Sequence, residues 1–480
     1  MLEDILRERA KKLEAYRKIS NPYPARVKRD ATLAEVAEKF SKLEKSKKPI
    51  SLTGRIVSLR DQGKIIFASV YDGTGRLQFV FRNEDTTGFD LVKRTFEAGD
   101  FVEATGPLFK TQRGQMSLLA KKARLIVKSL RPLPDEWYGV EDVETRLRQR
   151  YLDILLNPET KEIFVKKSRF WDEVRDYMKK GGYLETETPV LEPVPGGAEA
   201  EPFVTHHNAL DTDFYLRISL ELPLKKLLVA GYEKVFEIGR IFRNEGIDRE
   251  HLQDYTQMEC YAAYEDYHDM MKFTEGLYKS VIKKTLGTTI SKSSGNTVNW
   301  GKKWPQVDYY EIFRKEAGLD LRVATREDLF RKAKALGIKT DAKMGKGRLI
   351  DLVFKKTARP KLWDPCFLMD PPVEIEPLAK RSEKDPGRVE RFQIFAAGTE
   401  LGKGFSELND PVDQRRRFEE QMKLRAAGDK EAQMLDEEFL TALEYGMPPA
   451  SGFGMSERLF AVIMDKPVRE TVIFPLMRQK

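Results

Sequence analysis

The sequence predicts a multidomain α+β protein, in which a small β-barrel precedes a larger domain of alternating helices and strands. The chain has 480 residues, enough for two to four domains of ordinary size. The hydrophobic period changes from helical to strand-like near residue 51. From about residue 145, helical and strand patterns alternate without an internal repeat. Hydrophobic residues at 41% and charged residues at 33% are typical of a globular protein with a core.

Composition argues against several classes of protein. No run of about 18 uncharged apolar residues occurs, so the sequence predicts no membrane span. The first twenty residues mix both charge signs and lack the apolar core of a secretion signal. Neither Cys260 nor Cys366 belongs to a C-x-x-C pair, which argues against a zinc site or a disulfide framework. We expect two reduced thiols in a cytoplasmic protein.

The net charge of +8 is unevenly distributed along the chain. Residues 1–50 carry +6 and residues 51–150 carry +4, so the remaining 330 residues sum to −2. This distribution predicts a basic region that holds a polyanion and a near-neutral region that performs chemistry. A solvated surface bias is the alternative interpretation.

The first 50 residues predict a basic helical extension. Apolar residues recur at helical spacing over residues 2–19, and Asn21-Pro22-Tyr23-Pro24 ends that helix. Thr32 and Glu35 form a capping-box pattern that predicts the start of a second helix.

Residues 51–135 predict a β domain. Five strands are expected, in the segments SLTGRIVSL, KIIFASVYD, RLQFVFR, FVEATGPLF and QMSLLAKKARLIVKSL. Five strands in about 80 residues, with one longer connection, fit an OB-type barrel that binds single-stranded nucleic acid. A generic small β-barrel is the alternative. The segment RPLPDEWYG predicts a linker, which we assign to residues 136–150. A larger domain is then expected over residues 151–480. Within that domain, residues 319–355 are expected to form a charged helical insertion.

Two separate segments could hold a nucleotide, although the sequence has no G-x-x-x-x-G-K-[ST] phosphate loop. The strands KVFEIGRIF and YTQMECYAAY flank a loop that contains Arg243, Glu245, Arg249 and His251. Near the C-terminus, ASGFGMSERLF places glycines ahead of Arg458 at the start of a helix. Two arginines could clamp a triphosphate, because guanidinium matches phosphate oxygens bidentately. Solvated loops are the alternative.

With these two segments, the chain resembles the bacterial class II lysyl-tRNA synthetases, and the resemblance covers nearly all of its length. Three segments occur in the family's order. The first runs from GYLETETPVLEP to EKVFEIGR and contains the motif 1 proline, Pro189. The second, motif 2, is FRNEG…H…YTQMECY, and the third, motif 3, is GTELGKGFSELND followed by GFGMSER. The resemblance implies a class II catalytic domain with a mixed, mostly antiparallel sheet flanked by helices. It also implies a homodimer with motif 1 at the interface.

The resemblance further implies that six residues bind ATP: Arg243, Glu245, His251, Tyr255, Glu400 and Arg458. Three of these are implied to be catalytic. Arg243 would contact the α-phosphate and the lysine carboxylate, Arg458 the γ-phosphate, and Glu400 a Mg²⁺ ion. Tyr255 stands where the family usually has phenylalanine, so an aromatic face for adenine is kept.

For L-lysine, the resemblance implies seven binding residues: Gly197, Glu221, Arg243, Glu259, Tyr261, Phe405 and Glu407. Glu259, Tyr261 and Glu407 would surround the ε-ammonium, whereas Glu221 and the backbone of Gly197 would hold the α-amino group. Buried carboxylates left unpaired would penalise an uncharged competitor. Ordinary surface charges are the alternative.

The resemblance also implies that the OB domain reads the anticodon of tRNA(Lys). Phe67 would stack on the central uridine, and Arg60 and Gln78 would contact base edges. A core aromatic is the alternative for Phe67.

Five departures from the family pattern are visible. Gln393 occupies the second Mg²⁺ carboxylate position, Leu252-Gln253 replaces Asn-Pro, and Gln115 replaces a glutamate in the OB domain. Lys403 replaces an asparagine, and motif 3 is one residue short, with Ser456-Glu457 before the arginine. The number of metal ions is therefore open, and we hypothesise that Lys403 replaces some metal charge. We still expect an active enzyme.

The predicted function is ATP-dependent activation of lysine and its transfer to the 3′ end of tRNA(Lys). Three alternatives remain open. The first is an aspartyl- or asparaginyl-tRNA synthetase on the same scaffold. The second is the lysyltransferase paralogue that modifies an elongation factor and lacks an OB domain. The third is a non-catalytic nucleic-acid-binding protein with an inactive synthetase domain.

Overall fold

The chain forms two compact units, residues 1–141 and 142–480, which are described separately below. The structure, a computed structural model, describes residues 2–134, 142–246, 251–341 and 344–478. Within these ranges, helices that combine the length and the apolarity needed to cross a membrane do not occur. The predicted linker 136–150 begins with residues 136–141, which lie outside the described ranges, and the helix Val143–Arg148 follows within it.

The first unit contains four helices and seven strands among its described residues. The helices are α1 (Leu2–Arg17), α2 (Leu33–Glu38), α3 (Phe40–Ser46) and α4 (Phe89–Thr95). The strands are β1 (Ile50–Asp61), β2 (Ile65–Tyr71), β3 (Arg76–Arg82), β4 (Phe101–Gly106), β5 (Leu108–Lys110), β6 (Met116–Leu119) and β7 (Lys122–Val127).

The N-terminal helices follow the sequence prediction closely. Helix α1 covers most of the predicted segment 2–19. The capping box is present, because Thr32 Oγ1 accepts a hydrogen bond from Glu35 N at 3.1 Å and Glu35 Oε2 accepts one from Thr32 N at 2.8 Å. The apolar faces of these helices share one core with the strands, where Tyr16, Val36 and Phe79 are buried together.

The seven strands of this unit pair in the order β5-β6-β3-β2-β1-β4-β7, as an open sheet. Five strands were predicted, and the prediction was wrong at two places. The segment FVEATGPLF is divided into β4 and β5 at Gly106-Pro107, and the last segment is divided into β6 and β7. Proline has no N–H to donate to a ladder. A side chain at Gly106 would also meet the backbone oxygen of Leu119 at 1.8 Å, so the strand breaks where two backbones approach closely.

The second unit contains eleven α-helices and thirteen strands among its described residues. The helices are α5 (Val143–Arg148), α6 (Arg150–Leu156), α7 (Pro158–Lys180), α8 (Glu221–Val229), α9 (Tyr267–Leu286), α10 (Tyr309–Ala317), α11 (Arg326–Ala335), α12 (Lys346–Thr357), α13 (Pro411–Ala426), α14 (Glu437–Glu444) and α15 (Arg458–Ile463). The strands are β8 (Leu184–Glu185), β9 (Leu191–Glu192), β10 (Val204–His207), β11 (Thr212–Leu216), β12 (Lys234–Phe242), β13 (Asp254–Ala263), β14 (Ile290–Ser293), β15 (Asn296–Asn299), β16 (Gln306–Asp308), β17 (Cys366–Met369), β18 (Arg391–Ala396), β19 (Thr399–Ser406) and β20 (Ala450–Ser456). Short 3₁₀ helices cover Arg359–Lys361, Val373–Ile375 and Val468–Thr471.

Eight of these strands form the central sheet, in the order β16-β17-β18-β19-β20-β13-β12-β8. The end pairs β16/β17 and β12/β8 are parallel, whereas the other five neighbouring pairs are antiparallel. The predicted mixed, mostly antiparallel sheet is therefore confirmed.

The two faces of this sheet have different roles because side chains alternate along each strand. One face packs against α7 and α9, where Met258, Cys260, Phe392 and Phe453 join a large apolar core. Intervening residues, such as Glu259 on β13, point to the other face. The strand period therefore decides which residues can reach a site on that second face.

The charged segment 319–355 contains α11 and most of α12. Its apolar residues Leu329 and Ile350 pack with Phe313 of α10 in a core of their own. Lys346, which begins α12, faces the cavity described below. That this segment is an insertion stays a prediction.

We expect Gly106→Ala to destabilise the first unit by about 2–3 kcal/mol, because its methyl group would overlap the backbone at Leu119. Gly88→Ala is the control. Gly88 has a φ of +75°, but a methyl group at this position would meet no described atom within 4 Å, so only about 1 kcal/mol of backbone strain is expected. Hydrogen exchange of peptides from residues 101–127 measures this difference, and equal effects of the two variants would contradict it.

Candidate active site

A cavity of about 900 Å³ lies on the second face of the central sheet. Its walls are contributed by β13, β18, β19 and β20, together with the starts of α8, α12 and α15. Glycines alternate with large residues along β20, so the floor of the cavity is open where Gly452 and Gly454 lie. The volume is sufficient for a nucleotide and a small amino acid together.

Most of the residues that the sequence predicted as a site line this one cavity. They are Gly197, Glu221, Arg243, Glu245, His251, Tyr255, Glu259, Tyr261, Gln393, Glu400, Phe405 and Arg458. Glu407 is the exception: it is 1% exposed and does not belong to the described lining. Arg249 was also predicted for the motif 2 loop, but it lies outside the described residues.

Glu259 is the most firmly held carboxylate of the cavity. Its Oε1 accepts hydrogen bonds from Ser219 Oγ at 2.6 Å and from Leu220 N at 3.0 Å, and also from the amide of Gln257. Its Oε2 accepts one from the Tyr261 hydroxyl at 2.9 Å. Because four donors fix this buried group, it is oriented before any ligand arrives.

Two glycines leave room for the acidic wall. Gly197 has a φ of +83°, and a Cβ there would meet Glu221 Cβ at 2.8 Å. A Cβ at Gly452 would meet both Glu407 Oε1 and Tyr261 Cε1 at 2.3 Å. Larger residues at these positions would displace the carboxylates, so both glycines are required by close approach.

Lys225 lies among these carboxylates, and the sequence analysis did not predict it. Its Nζ donates to Glu221 Oε1 at 2.6 Å and also contacts Glu407 Oε2. The ammonium lies 5.3 Å from the centre of the Phe405 ring. A lysine four residues after Glu221, in a helix otherwise rich in leucine, is the signal that could have indicated a buried pair.

Burial and Lys225 act in opposite directions on these acids. Burial raises the pKa of Glu221 to about 7, although Lys225 beside it acts to lower that pKa. Burial likewise raises the pKa of Glu407 well above its usual value, again opposed by Lys225. For Lys225, burial disfavours the charged form, but the two glutamates raise its pKa. The lysine is therefore an ammonium at neutral pH.

Cationic and aromatic side chains contribute another part of the cavity wall. Arg243 Nε donates to the carbonyl of Ile218 at 3.2 Å, and its guanidinium lies 5.8 Å from the centre of the Tyr255 ring. Arg458 donates to the backbone oxygen of Glu400 at 3.1 Å. These contacts position two guanidinium groups at the cavity, where they can attract a polyanion.

The carboxyl of Glu400 faces this cationic wall. Burial acts to raise the pKa of Glu400, but Arg391, Arg458 and Lys403 together bring that pKa below its ordinary value. Glu400 is therefore ionised at neutral pH. A carboxylate of this kind is a suitable ligand for a hard cation such as Mg²⁺.

A second buried acid, Glu376, was not predicted from the sequence. Its Oε2 accepts a hydrogen bond from Lys403 Nζ at 2.9 Å and lies 3.3 Å from Arg391 Nη1. Gln393 pairs directly with Lys403 across β18 and β19. Lys403 is therefore beside Gln393, the position at which the family pattern has its second Mg²⁺ carboxylate.

Other positions that depart from the family pattern, Leu252, Gln253 and Glu457, lie at the cavity or next to residues that line it. Leu252 is buried with Ala461 in a small apolar cluster. Gln253 donates to the carbonyls of Glu245 and Gly246 at 3.2 and 3.1 Å, so it supports the backbone of the motif 2 loop. The side chain of Glu457 is buried and forms an ion pair with Lys167.

The predicted anticodon residues share one face of the first unit. Arg60 and Phe67 are directly opposite each other on β1 and β2, and Gln78 on β3 is opposite Ser69. Phe67 is half-buried and alternates with the core residues Ile66 and Ala68. Phe67 therefore lies outside the core, with Arg60 exposed beside it. Gln115 is also exposed.

The cavity therefore combines two kinds of surface. One part presents arginines and an ionised carboxylate, which suits a phosphate chain with an associated cation. Another part presents buried carboxylates and a tyrosine, which suits an ammonium group. Within the described residues, clusters of three or more His, Cys, Asp or Glu side chains arranged for a metal do not occur.

Comparisons with known proteins agree with this arrangement. Residues 142–478 match the family described as tRNA synthetases class II (D, K and N), and residues 50–126 match the OB-fold nucleic acid binding domain. The chain is 44% identical to a protein named "Lysine--tRNA ligase" from Moorella thermoacetica (strain ATCC 39073 / JCM 9320), over 99% of this chain and 98% of that relative.

Two further relatives carry the same name. The protein from Carboxydothermus hydrogenoformans (strain ATCC BAA-161 / DSM 6008 / Z-2901) is 42% identical, over 100% of this chain and 99% of the relative. The protein from Roseiflexus sp. (strain RS-1) is also 42% identical, with the same coverage. The predicted OB-type fold and the resemblance to class II lysyl-tRNA synthetases are thus confirmed. The chain belongs to the family of class II tRNA synthetases for aspartate, lysine and asparagine.

Proposed function

We propose that this protein activates L-lysine with ATP to form lysyl-adenylate and then transfers the lysyl group to the 3′ end of tRNA(Lys). The observation that carries the proposal is the buried carboxylate of Glu259, held by four donors in the wall of the same cavity as Arg243 and Arg458. The full-length relatives named for this reaction support it.

In this proposal the cavity holds both substrates at once. Glu259 and Tyr261, with Glu407 behind them, receive the ε-ammonium, and Phe405 provides an apolar wall for the methylene groups. Glu221 and the backbone of Gly197 receive the α-amino group. A substrate without the ammonium would leave buried carboxylates unpaired, which is a strong basis for rejection.

The phosphate chain would lie against the arginines. Arg243 is positioned to stabilise charge that develops at the α-phosphate when the lysine carboxylate attacks it. Arg458 would hold the γ-phosphate, and His251 would approach the β- or γ-phosphate. Tyr255 and Glu245 would receive adenine. The reaction is an in-line displacement that depends on positioning and charge, so no nucleophile from the protein is needed.

The donor set fits a Mg²⁺ ion that arrives with ATP. Mg²⁺ takes one or two carboxylates from a protein and keeps phosphate oxygens and waters as its other ligands. Glu400 offers an ionised carboxylate and Gln393 an amide oxygen, and both line the cavity. When bound, the ion would neutralise charge on the phosphates.

The alternatives are less favoured by the same contacts. An aspartate substrate would bring its carboxylate against Glu259, which lines the cavity, with the acidic Glu407 behind it, and both would disfavour that carboxylate. The OB domain at residues 50–126 argues against a paralogue that lacks this domain. Both arginines of the phosphate wall are present, which argues against an inactive synthetase. We also propose a homodimer with the segment around Pro189 at the interface, as the resemblance implies.

Amino-acid-dependent exchange of pyrophosphate into ATP tests this function. We expect lysine alone among the twenty amino acids to support rapid exchange at adequate Mg²⁺. Exchange with aspartate or asparagine would favour another member of the family. If no amino acid supports exchange, the protein is a non-catalytic relative.

We expect Arg243→Ala to lower the rate of lysine-dependent exchange by roughly 100-fold or more, because it removes a charge that acts on the transition state. Arg240→Ala is the matched control, three residues earlier on β12. Arg240 is exposed and pairs with Asp254 at the surface, with Nε 2.7 Å from Oδ1. Comparable losses in the two variants would contradict the assignment of Arg243.

The ammonium of Lys403 is expected to replace part of the metal charge. Lys403→Ala should therefore raise the Mg²⁺ concentration needed for half-maximal exchange, and adding Gln393→Glu in the same chain should restore it in part. The measurement is the exchange rate across a Mg²⁺ titration. An unchanged titration and rate in Lys403→Ala would rule out this role.

Phe67→Ala should weaken tRNA binding while leaving lysine-dependent exchange intact, because the aromatic face lies in the other unit of the chain. Loss of one stacked base is expected to reduce affinity by about 1–3 kcal/mol. The KM for tRNA(Lys) in aminoacylation measures the effect. Tyr23→Ala is a control, since Tyr23 is exposed in the same unit but precedes the strands. An unchanged KM in Phe67→Ala would contradict the stacking role.

A further inference from the structure

Lys225 is a fully buried cation within the acidic wall, and the proposed function gives it no direct contact with substrate. It lies on α8 with its side chain 0% exposed, between Leu224 and Lys226 in sequence. Burial of an ammonium requires anionic partners of good geometry. The charged forms of its partners are therefore expected to depend on Lys225, just as its own charged form depends on them.

Those partners are two of the proposed lysine-binding residues. Lys225 Nζ donates to Glu221 Oε1 at 2.6 Å, one helical turn away, and also contacts Glu407 Oε2. Apart from this ion pair, neither oxygen of Glu407 accepts a hydrogen bond from the described residues. One ammonium thus connects the carboxylate proposed for the α-amino group with a carboxylate proposed for the ε-ammonium.

The surroundings of Glu407 are otherwise mainly acidic. Charged or titratable groups act on Glu407 from three elements: Glu221 and Lys225 on α8, Tyr261 on β13, and Glu376 in the segment before β18. Two further groups, Glu259 and Lys403, act on Glu221 beside it. Lys403 is itself paired with Glu376 at 2.9 Å, so Lys225 is the cation in direct contact with Glu407 among the described residues. Removing Lys225 would therefore leave Glu221 and Glu407 without the cation that they both contact, which favours the protonated form of each.

We propose that Lys225 is a positioning residue for amino-acid recognition, which ties Glu221 to Glu407 and opposes protonation of both carboxylates, so that the cavity selects a diamino acid. This inference rests on the proposed function of the same cavity. In this role Lys225 touches neither substrate nor reacting atoms. It determines whether two carboxylates are charged and where they point when a second ammonium arrives.

Protonation of the pair then controls the affinity for lysine. Burial already raises the pKa of Glu221 to about 7 in the presence of Lys225. A protonated carboxyl cannot balance an incoming ammonium, so the KM for lysine should rise as the pH falls below about 7. Without Lys225 the pKa of the pair moves higher, and the same rise in KM should begin at a higher pH.

Lys225→Met tests this proposal in the full-length chain, with pyrophosphate exchange measured from pH 6.0 to pH 8.5. We expect the KM for lysine at pH 7 to increase about tenfold, with a smaller change in kcat, and the transition in KM to move up by about one pH unit. Preference for lysine over the neutral isostere 6-hydroxynorleucine should fall by a similar factor. Lys225→Arg should stay near the wild-type transition.

Lys226→Met is the matched control. Lys226 follows Lys225 on α8 but lies 3.1 Å from Glu438 at the surface, with 29% of its side chain exposed. We expect its pH transition and selectivity to equal those of the wild type. Should Lys225→Met fail to fold, Lys225→Gln retains a donor without the charge and gives the same comparison.

A rise in KM by one constant factor at every pH, with unchanged selectivity, would show a purely structural role for Lys225 and overturn the proposal. The wild-type protein is assayed first. Absence of lysine-dependent exchange there would instead contradict the proposed function, so the two failures are distinguishable.

Discussion

Several carboxylates are buried on the cavity face of the central sheet, and their burial constrains the structure around them. An unpaired buried charge is strongly unfavourable, so each acid has cations or donors beside it. Glu259 accepts four hydrogen bonds from two segments of the chain, Ser219-Leu220 and β13. Glu221 is paired with Lys225, and Glu376 with Lys403. These contacts connect α8, β13 and β19, so the acidic wall and the fold stabilise each other.

The need to pair each buried charge also explains how one cavity can suit both an ammonium group and a phosphate chain. Strand alternation sends apolar residues to the helices on one face and polar residues to the cavity on the other. Along β20, Gly452 allows Glu407 and Tyr261 to approach the sheet closely. Arg243 and Arg458 contribute the cationic part of the same cavity. A cavity with an acidic part and a cationic part suits a reaction between an amino acid and a nucleoside triphosphate.

Sequence patterns predicted the local structure of the site better than its internal pairing. The segment KVFEIGRIF forms β12 as predicted, and β13 is displaced by one residue from the predicted strand. The division at Gly106 was missed, because it depends on contact with Leu119 from a distant segment. Lys225, Glu376 and Arg391 were missed for a similar reason. Their partners are brought close by tertiary structure, and a single sequence shows only residue types and spacing.

The position of bound L-lysine tests the central claim most directly. A crystal structure of the full-length protein with L-lysine and a non-hydrolysable ATP analogue would locate both ammonium groups. The account predicts the ε-ammonium within about 3.2 Å of a Glu259 oxygen and the α-phosphate beside Arg243. An ε-ammonium bound elsewhere in the cavity, for example at Glu199, with Glu259 still occupied only by its four donors from the protein, would contradict it.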